Sequence, residues 1–204
     1  MYEKREMAEE KYVKELTVGI TQIVLIGTYH DGTISIEKTL RKYKTHELAV
    51  EGRMDRSREY GVDEKTLKDF TGMGIQQLFE IGIRVVYKIG PAMLEGLLED
   101  EWDMDTVLGI KYATLDFRDC WMARNLWFLA KRRERLLAVV GIDHLYGISF
   151  YLTHPNILFY RLQEYAKKRR PAGFSLEYPV DEPIGVYLLT NSELLYVGEL
   201  KPII

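Results

Sequence analysis

Short apolar runs, several of them rich in β-branched residues, recur along the chain and predict buried strands. They are Gln22–Gly27, His46–Glu51 and Arg135–Gly141, each of strand length and bounded by glycine or by charged residues. The final stretch, GVYLLTNSELLYVGEL (185–200), carries two further apolar runs around the polar residues 190–192. That arrangement predicts a C-terminal β-hairpin.

Segments of helix-forming composition separate these strands. We predict helices at residues 35–43, 63–82, 91–101, 115–134 and 156–170, one further strand at 84–89, and a short charged helix or frayed lead-in at 3–15. Strands that alternate with helices predict an α/β fold, with a mixed, mostly parallel central sheet flanked by helices. No linker rich in Pro, Gly or Ser divides the chain, so we expect one domain over residues 1–204.

Composition narrows the class of protein. The 204 residues are 47% hydrophobic, and 28 basic against 31 acidic residues give a net charge of −3, so nucleic acid is not an expected partner. The one cysteine, Cys120, excludes an intrachain disulfide framework and is expected to be a packed residue. No apolar run is long enough for a membrane span, and no secretory signal is evident, so we expect a cytoplasmic protein. Its 14 tyrosines are compatible with a homo-oligomer.

The same short pattern follows two of the predicted strands. IVLIGTYH (23–30) and LAVVGIDH (137–144) both end in Gly-x-x-His, and the strand between them ends in Glu51. Residues just beyond the carboxyl ends of parallel strands line the crevice where ligands bind. We therefore expect His30, Glu51 and His144 to converge.

Three interpretations of this set are open. Two imidazoles and a carboxylate are a common ligand set for a catalytic divalent metal that keeps an open position for water. Without a metal, one imidazole could act as a general base oriented by the carboxylate. The histidines could instead be hydrogen-bonded structural residues at strand ends.

Four motifs in order resemble the TraB/PrgY/GumN family. They are GTYH, then HELAVEGR, FRDCWMARNL and VVGIDHLYGI, and they lie between about residues 22 and 148. The family includes the Tiki proteins, described as metal-dependent proteases, and is related in fold to erythromycin-esterase-like and ChaN-like proteins. The resemblance implies that His30, Glu51 and His144 take part in metal binding or hydrolysis.

The chain also departs from the family pattern. Arg53 stands one position earlier than the arginine of the family motif, and Phe117 replaces the acid that normally precedes Arg118 and Asp119. The segment between residue 100 and the predicted helix at 115–134 is shorter than the resemblance implies, which bears on whether the substrate cleft is complete.

Asp119 continues an apolar stripe, because it lies three, seven and ten residues before Met122, Leu126 and Leu129. A carboxylate on a core-facing stripe needs a partner, and Arg118, Arg53 or a histidine could serve. The alternatives are a structural salt bridge and a role in orienting a ligand histidine.

Together, the ligand set and the resemblance imply a metal-dependent hydrolase with Mn, Co or Zn as cofactor and a peptide or small molecule as substrate. It would act on peptide or ester bonds, and the resemblance to the Tiki proteins favours peptide bonds. Arg53, Arg118 and Asp119 would contact substrate or support the ligands. The alternative is a non-catalytic peptide- or signal-binding regulatory protein on the same fold.

Overall fold

The computed structural model describes residues 12–29, 37–45, 47–52, 64–83, 86–89, 115–167, 174–177, 183–190 and 193–201. The strands are β1 (Val13–Val18), β2 (Thr21–Thr28), β3 (Glu47–Val50), β4 (Gln77–Glu80), β5 (Val86–Ile89), β6 (Arg135–Gly141), β7 (Phe174–Glu177), β8 (Ile184–Leu189) and β9 (Leu194–Leu200). The helices are α1 (Glu37–Tyr43), α2 (Glu64–Gly72), α3 (Phe117–Ala130), α4 (Leu145–Thr153) and α5 (Pro155–Ala166).

Seven of these strands form one mixed sheet in the order β1-β2-β6-β3-β4-β8-β9. The four strands β2, β6, β3 and β4 are parallel neighbours, whereas β1, β8 and β9 add to the edges in antiparallel pairs. The strands β5 and β7 form a separate antiparallel pair. The predicted α/β class, the mixed sheet flanked by helices and the C-terminal hairpin β8–β9 are confirmed.

Helices cover both faces of the sheet. Along β2, Ile23 and Leu25 face the core made with α3, α4 and α5, while Val24 and Ile26 face the core made with α1 and α2. This two-sided burial explains why the central strands are continuous apolar runs rather than alternating patterns. In the ranges described, no helix is both long and apolar enough to cross a membrane.

Several sequence predictions need correction. The helix predicted over 63–82 ends at Gly72, and its last part is the strand β4, because the short run after Gly74 is buried in the sheet rather than on a helix face. The lead-in predicted at 3–15 contains the start of a strand, since β1 begins at Val13 and pairs with β2.

The remaining elements include one confirmed strand and two elements that were not predicted. The strand predicted at 84–89 is confirmed over Val86–Ile89, and it belongs to the small sheet. The helix α4 and the strand β7 were not predicted. The helix predicted at 91–101 lies outside the described residues.

Candidate active site

Two adjacent parallel strands, β3 and β6, each end in a candidate residue at the same edge of the sheet. The strand β6 lies between β2 and β3, in register at Thr28↔Gly141 and Val50↔Val139. Glu51 follows β3 directly, and His144 follows β6 after a single 3₁₀ turn, Ile142–His144. His30 and Arg53 lie outside the described residues.

His144 lies between two acidic side chains. Its ring is buried, with Nδ1 2.6 Å from Asp119 Oδ1 and Nε2 3.5 Å from Glu51 Oε1. A carboxylate on Nδ1 favours the tautomer that carries its proton there, which leaves the lone pair on Nε2. The Nε2 lone pair is then available to a hydrogen-bond donor or to a metal ion.

Both carboxylate oxygens of Glu51 and its backbone N–H form hydrogen bonds. Oε1 accepts a hydrogen bond from Arg118 Nη2, and Oε2 accepts one from the Gly141 N–H. The Glu51 N–H donates to the carbonyl of Val139 at 3.1 Å. Only 9% of the Glu51 side chain is exposed, against 30% for Arg118, so the guanidinium is the more accessible partner of this pair.

Asp119 reaches His144 from the first turn of α3. It shares the buried face of that helix with Met122, Leu126 and Leu129. Burial raises the pKa of the Asp119 carboxyl above its ordinary value, and the hydrogen bond to His144 opposes that shift. Of the partners considered from the sequence, Asp119 contacts His144, while Arg118 pairs with Glu51.

Two glycines that the sequence analysis left unassigned pack against these acids. A Cβ built at Gly147 would lie 1.9 Å from Asp119 Oδ2, and a Cβ built at Gly82 would lie 1.6 Å from the carbonyl oxygen of Glu51. Gly147 was visible as the last glycine of the motif VVGIDHLYGI. Nothing in the local pattern pointed to Gly82.

The described hydrogen bonds of His154 and Cys120 go to residues outside this cluster. His154 lies at the junction of α4 and α5 and stacks on Phe150, with ring centroids 4.5 Å apart. Cys120 is fully buried, and that burial raises the pKa of its thiol. His46 is outside the described residues.

The described residues supply two metal donors with suitable spacing but not a third. Two ligands on one tetrahedral Zn²⁺ at about 2.0–2.2 Å lie roughly 3.4 Å apart, which matches the 3.5 Å between His144 Nε2 and Glu51 Oε1. Across the described ranges, no group of three or more His, Cys, Asp or Glu side chains is arranged to hold a metal ion. A complete site would need a donor from outside these ranges.

The comparisons with known proteins return nothing: no family model matches the sequence, and neither a curated protein nor a solved structure is found to be similar.

Proposed function

We propose that the chain is a hydrolase of peptide or ester bonds, with His144 at its centre, and that His144, Glu51 and His30 hold a divalent metal such as Mn, Co or Zn. The observation that carries this proposal is the position of His144 between Asp119 and Glu51, with Nδ1 contacting one acid and Nε2 facing the other. The four-motif resemblance to the TraB/PrgY/GumN family supports the same residues.

The charge around His144 suits a cation. Glu51 and Asp119 bring two carboxylates, and Arg118 brings one positive charge, so a neutral imidazole in this cluster has an excess negative charge beside it. A buried excess charge is costly unless it is paired. A bound divalent ion would compensate it and would supply Lewis-acid chemistry, by polarising a carbonyl group and acidifying water.

The chain's own residues have separable tasks in this proposal. Asp119 holds the imidazole so that Nε2 presents its lone pair. The Gly141 N–H and Arg118 fix the direction of the Glu51 carboxylate. Arg118, which is partly exposed, offers its remaining N–H donors to negative charge that develops on a substrate carbonyl.

The decisive experiment measures metal content and hydrolysis in the same preparations. Protein purified without chelator is compared with His144→Ala and with the matched control His154→Ala, which removes an exposed histidine away from the cluster. We expect about one divalent ion per chain and turnover of fluorogenic peptides or esters in the wild type and the control, and loss of both in His144→Ala.

Two other outcomes would change the mechanism or rule out the site. Turnover that depends on His144 without bound metal would replace the metal mechanism by a histidine acting as general base. The same turnover in His144→Ala as in the wild type, with no metal in either, would rule out the proposed site.

A non-catalytic peptide-binding protein is the second candidate, and one contact favours it. Arg118 contacts the same Glu51 oxygen that faces His144, so the guanidinium already neutralises that carboxylate. A binding protein would retain labelled peptides without cleaving them, and the retained peptides would be recovered intact by mass spectrometry.

The proposal also includes a cytoplasmic location, a peptide or small molecule as substrate and association into a homo-oligomer. Light scattering coupled to size-exclusion chromatography measures the last of these.

A further inference from the structure

The first turn of α4 passes unusually close to Asp119. Gly147 lies three residues after His144, and a Cβ built on it would lie 1.9 Å from Asp119 Oδ2, 2.6 Å from Cγ and 3.1 Å from Cβ. Real Cβ atoms do not approach heavy atoms within 3.0 Å. The carboxyl group of Asp119 therefore occupies the volume that any other residue at position 147 would fill.

The backbone conformation does not account for a glycine here. Gly147 is not among the described glycines with a positive φ angle, and it lies within a helix, where alanine is the better residue. Gly72, at the end of α2, provides a contrast because a Cβ there would meet nothing within 4 Å. The distinguishing property of Gly147 is the carboxyl group packed against it.

That carboxyl group is the one that contacts Nδ1 of His144. Asp119 is 6% exposed, so it has little room to move aside inside the core. A side chain at position 147 would force either a rotation of the Asp119 carboxyl or a retreat of α4. Because His144 is the residue that precedes α4, both movements disturb the 2.6 Å contact between Asp119 and His144.

We propose that Gly147 is a positioning residue that acts through Asp119: the missing Cβ lets Asp119 reach Nδ1 of His144 and so sets which ring nitrogen carries the proton. The effect on the tautomer is a property of the folded protein and does not depend on any catalytic activity. Its consequence for catalysis rests on the proposed hydrolase function.

The test reads the tautomer of His144 directly. Nitrogen-15 NMR of histidine-labelled protein is recorded in mildly alkaline solution, where an ordinary imidazole is neutral, and His144→Gln identifies the signal. We expect the wild type to carry the proton on Nδ1. In Gly147→Ala we expect that signal to be lost and replaced by the pattern that Asp119→Ala produces, while the matched control Gly72→Ala keeps the wild-type spectrum.

Urea unfolding gives a second measurement that does not depend on the site being active. Gly147→Ala should lower the unfolding midpoint in the wild-type background. In the Asp119→Ala background most of that loss should disappear, because only the 3.1 Å contact with the Asp119 Cβ remains.

Each proposal can fail separately. An unchanged His144 signal in Gly147→Ala, or an equal loss of stability in both backgrounds, would overturn the positioning role. If no hydrolysis is detected but the tautomer changes as expected, the proposed function fails while the role of Gly147 stands.

Discussion

Glu51 accepts a hydrogen bond at each carboxylate oxygen. Two substitutions distinguish how much each of these bonds contributes to the free energy of unfolding. In Glu51→Gln only one of the two terminal positions is still an oxygen, so only one of the two donors keeps its acceptor. The better arrangement keeps that oxygen on the Gly141 N–H, because Gly141 is buried, and turns the NH₂ group toward Arg118. Arg118 is 30% exposed, so its guanidinium can turn to water. We expect a loss of about 1 kcal/mol, the value of a partly screened ionic hydrogen bond.

The substitution Glu51→Ala removes both acceptors. The Gly141 N–H then loses its partner inside the protein, and an unsatisfied buried donor costs about 1–3 kcal/mol. Added to the loss of the Arg118 pair, this predicts a total of about 2–4 kcal/mol. Glu51→Ala should therefore be about 1–3 kcal/mol less stable than Glu51→Gln.

The assay is urea unfolding followed by circular dichroism, with linear extrapolation and a check that the slope m is unchanged. Arg118→Met, made alone and in the Glu51→Gln background, completes a double-mutant cycle, and we expect a coupling of about 1 kcal/mol. If Glu51→Ala and Glu51→Gln agree within about 0.3 kcal/mol, which is the usual error of such comparisons, then the hydrogen bond from Gly141 does not stabilise the fold as argued.

Three further substitutions test the packing of the core, a close backbone contact and the loss of stability at alkaline pH. Leu126→Ala should lower the free energy of unfolding by about 2–5 kcal/mol by chemical denaturation, because the side chain is fully buried between α3 and the sheet. Gly82→Ala should cost about 1–3 kcal/mol or more in the same assay, since its Cβ would meet the backbone carbonyl of Glu51 and the backbone would have to shift. Burial raises the pKa of Tyr43, assisted by its hydrogen bond to Glu15. The folded state therefore holds that proton more tightly, and its stabilising effect should be lost as the pH rises above about 10. Unfolding midpoints of the wild type should fall more steeply than those of Tyr43→Phe over that interval, and parallel pH profiles would contradict the assignment.

The fold could be predicted where an element has a clear local signal. The strands at Gln22–Gly27 and Arg135–Gly141 were evident because burial on both faces requires unbroken apolar runs. The helix α4 was missed for a related reason: its residues LYGISFYLT include apolar side chains on the exposed side, such as Tyr146 and Phe150. Those exposed residues conceal the helical spacing of the buried Leu145, Ile148 and Leu152.

The candidate site, too, could be predicted only in part from the sequence. The neighbourhood of Glu51 and His144 follows from two parallel strands that end at one edge, which is a property of sheet topology. The contact between Asp119 and His144 depends on how α3 packs beside the turn after β6, and no local pattern encodes that distance. Gly147 shows why: its importance comes from a residue 28 positions earlier in the chain, as the numbers 119 and 147 give directly.

The coupling between Glu51 and Arg118 also bears on the choice between the two proposed functions. A metal ion at His144 and Glu51 would share Oε1 with the guanidinium, and two cations at one oxygen repel each other. A weak coupling means that Arg118 yields easily to an incoming ion and becomes free to bind a developing oxyanion, as a hydrolase requires. A coupling well above 1 kcal/mol means that Arg118 already fills the cation's role, and the cluster is then better suited to holding a peptide than to cleaving one.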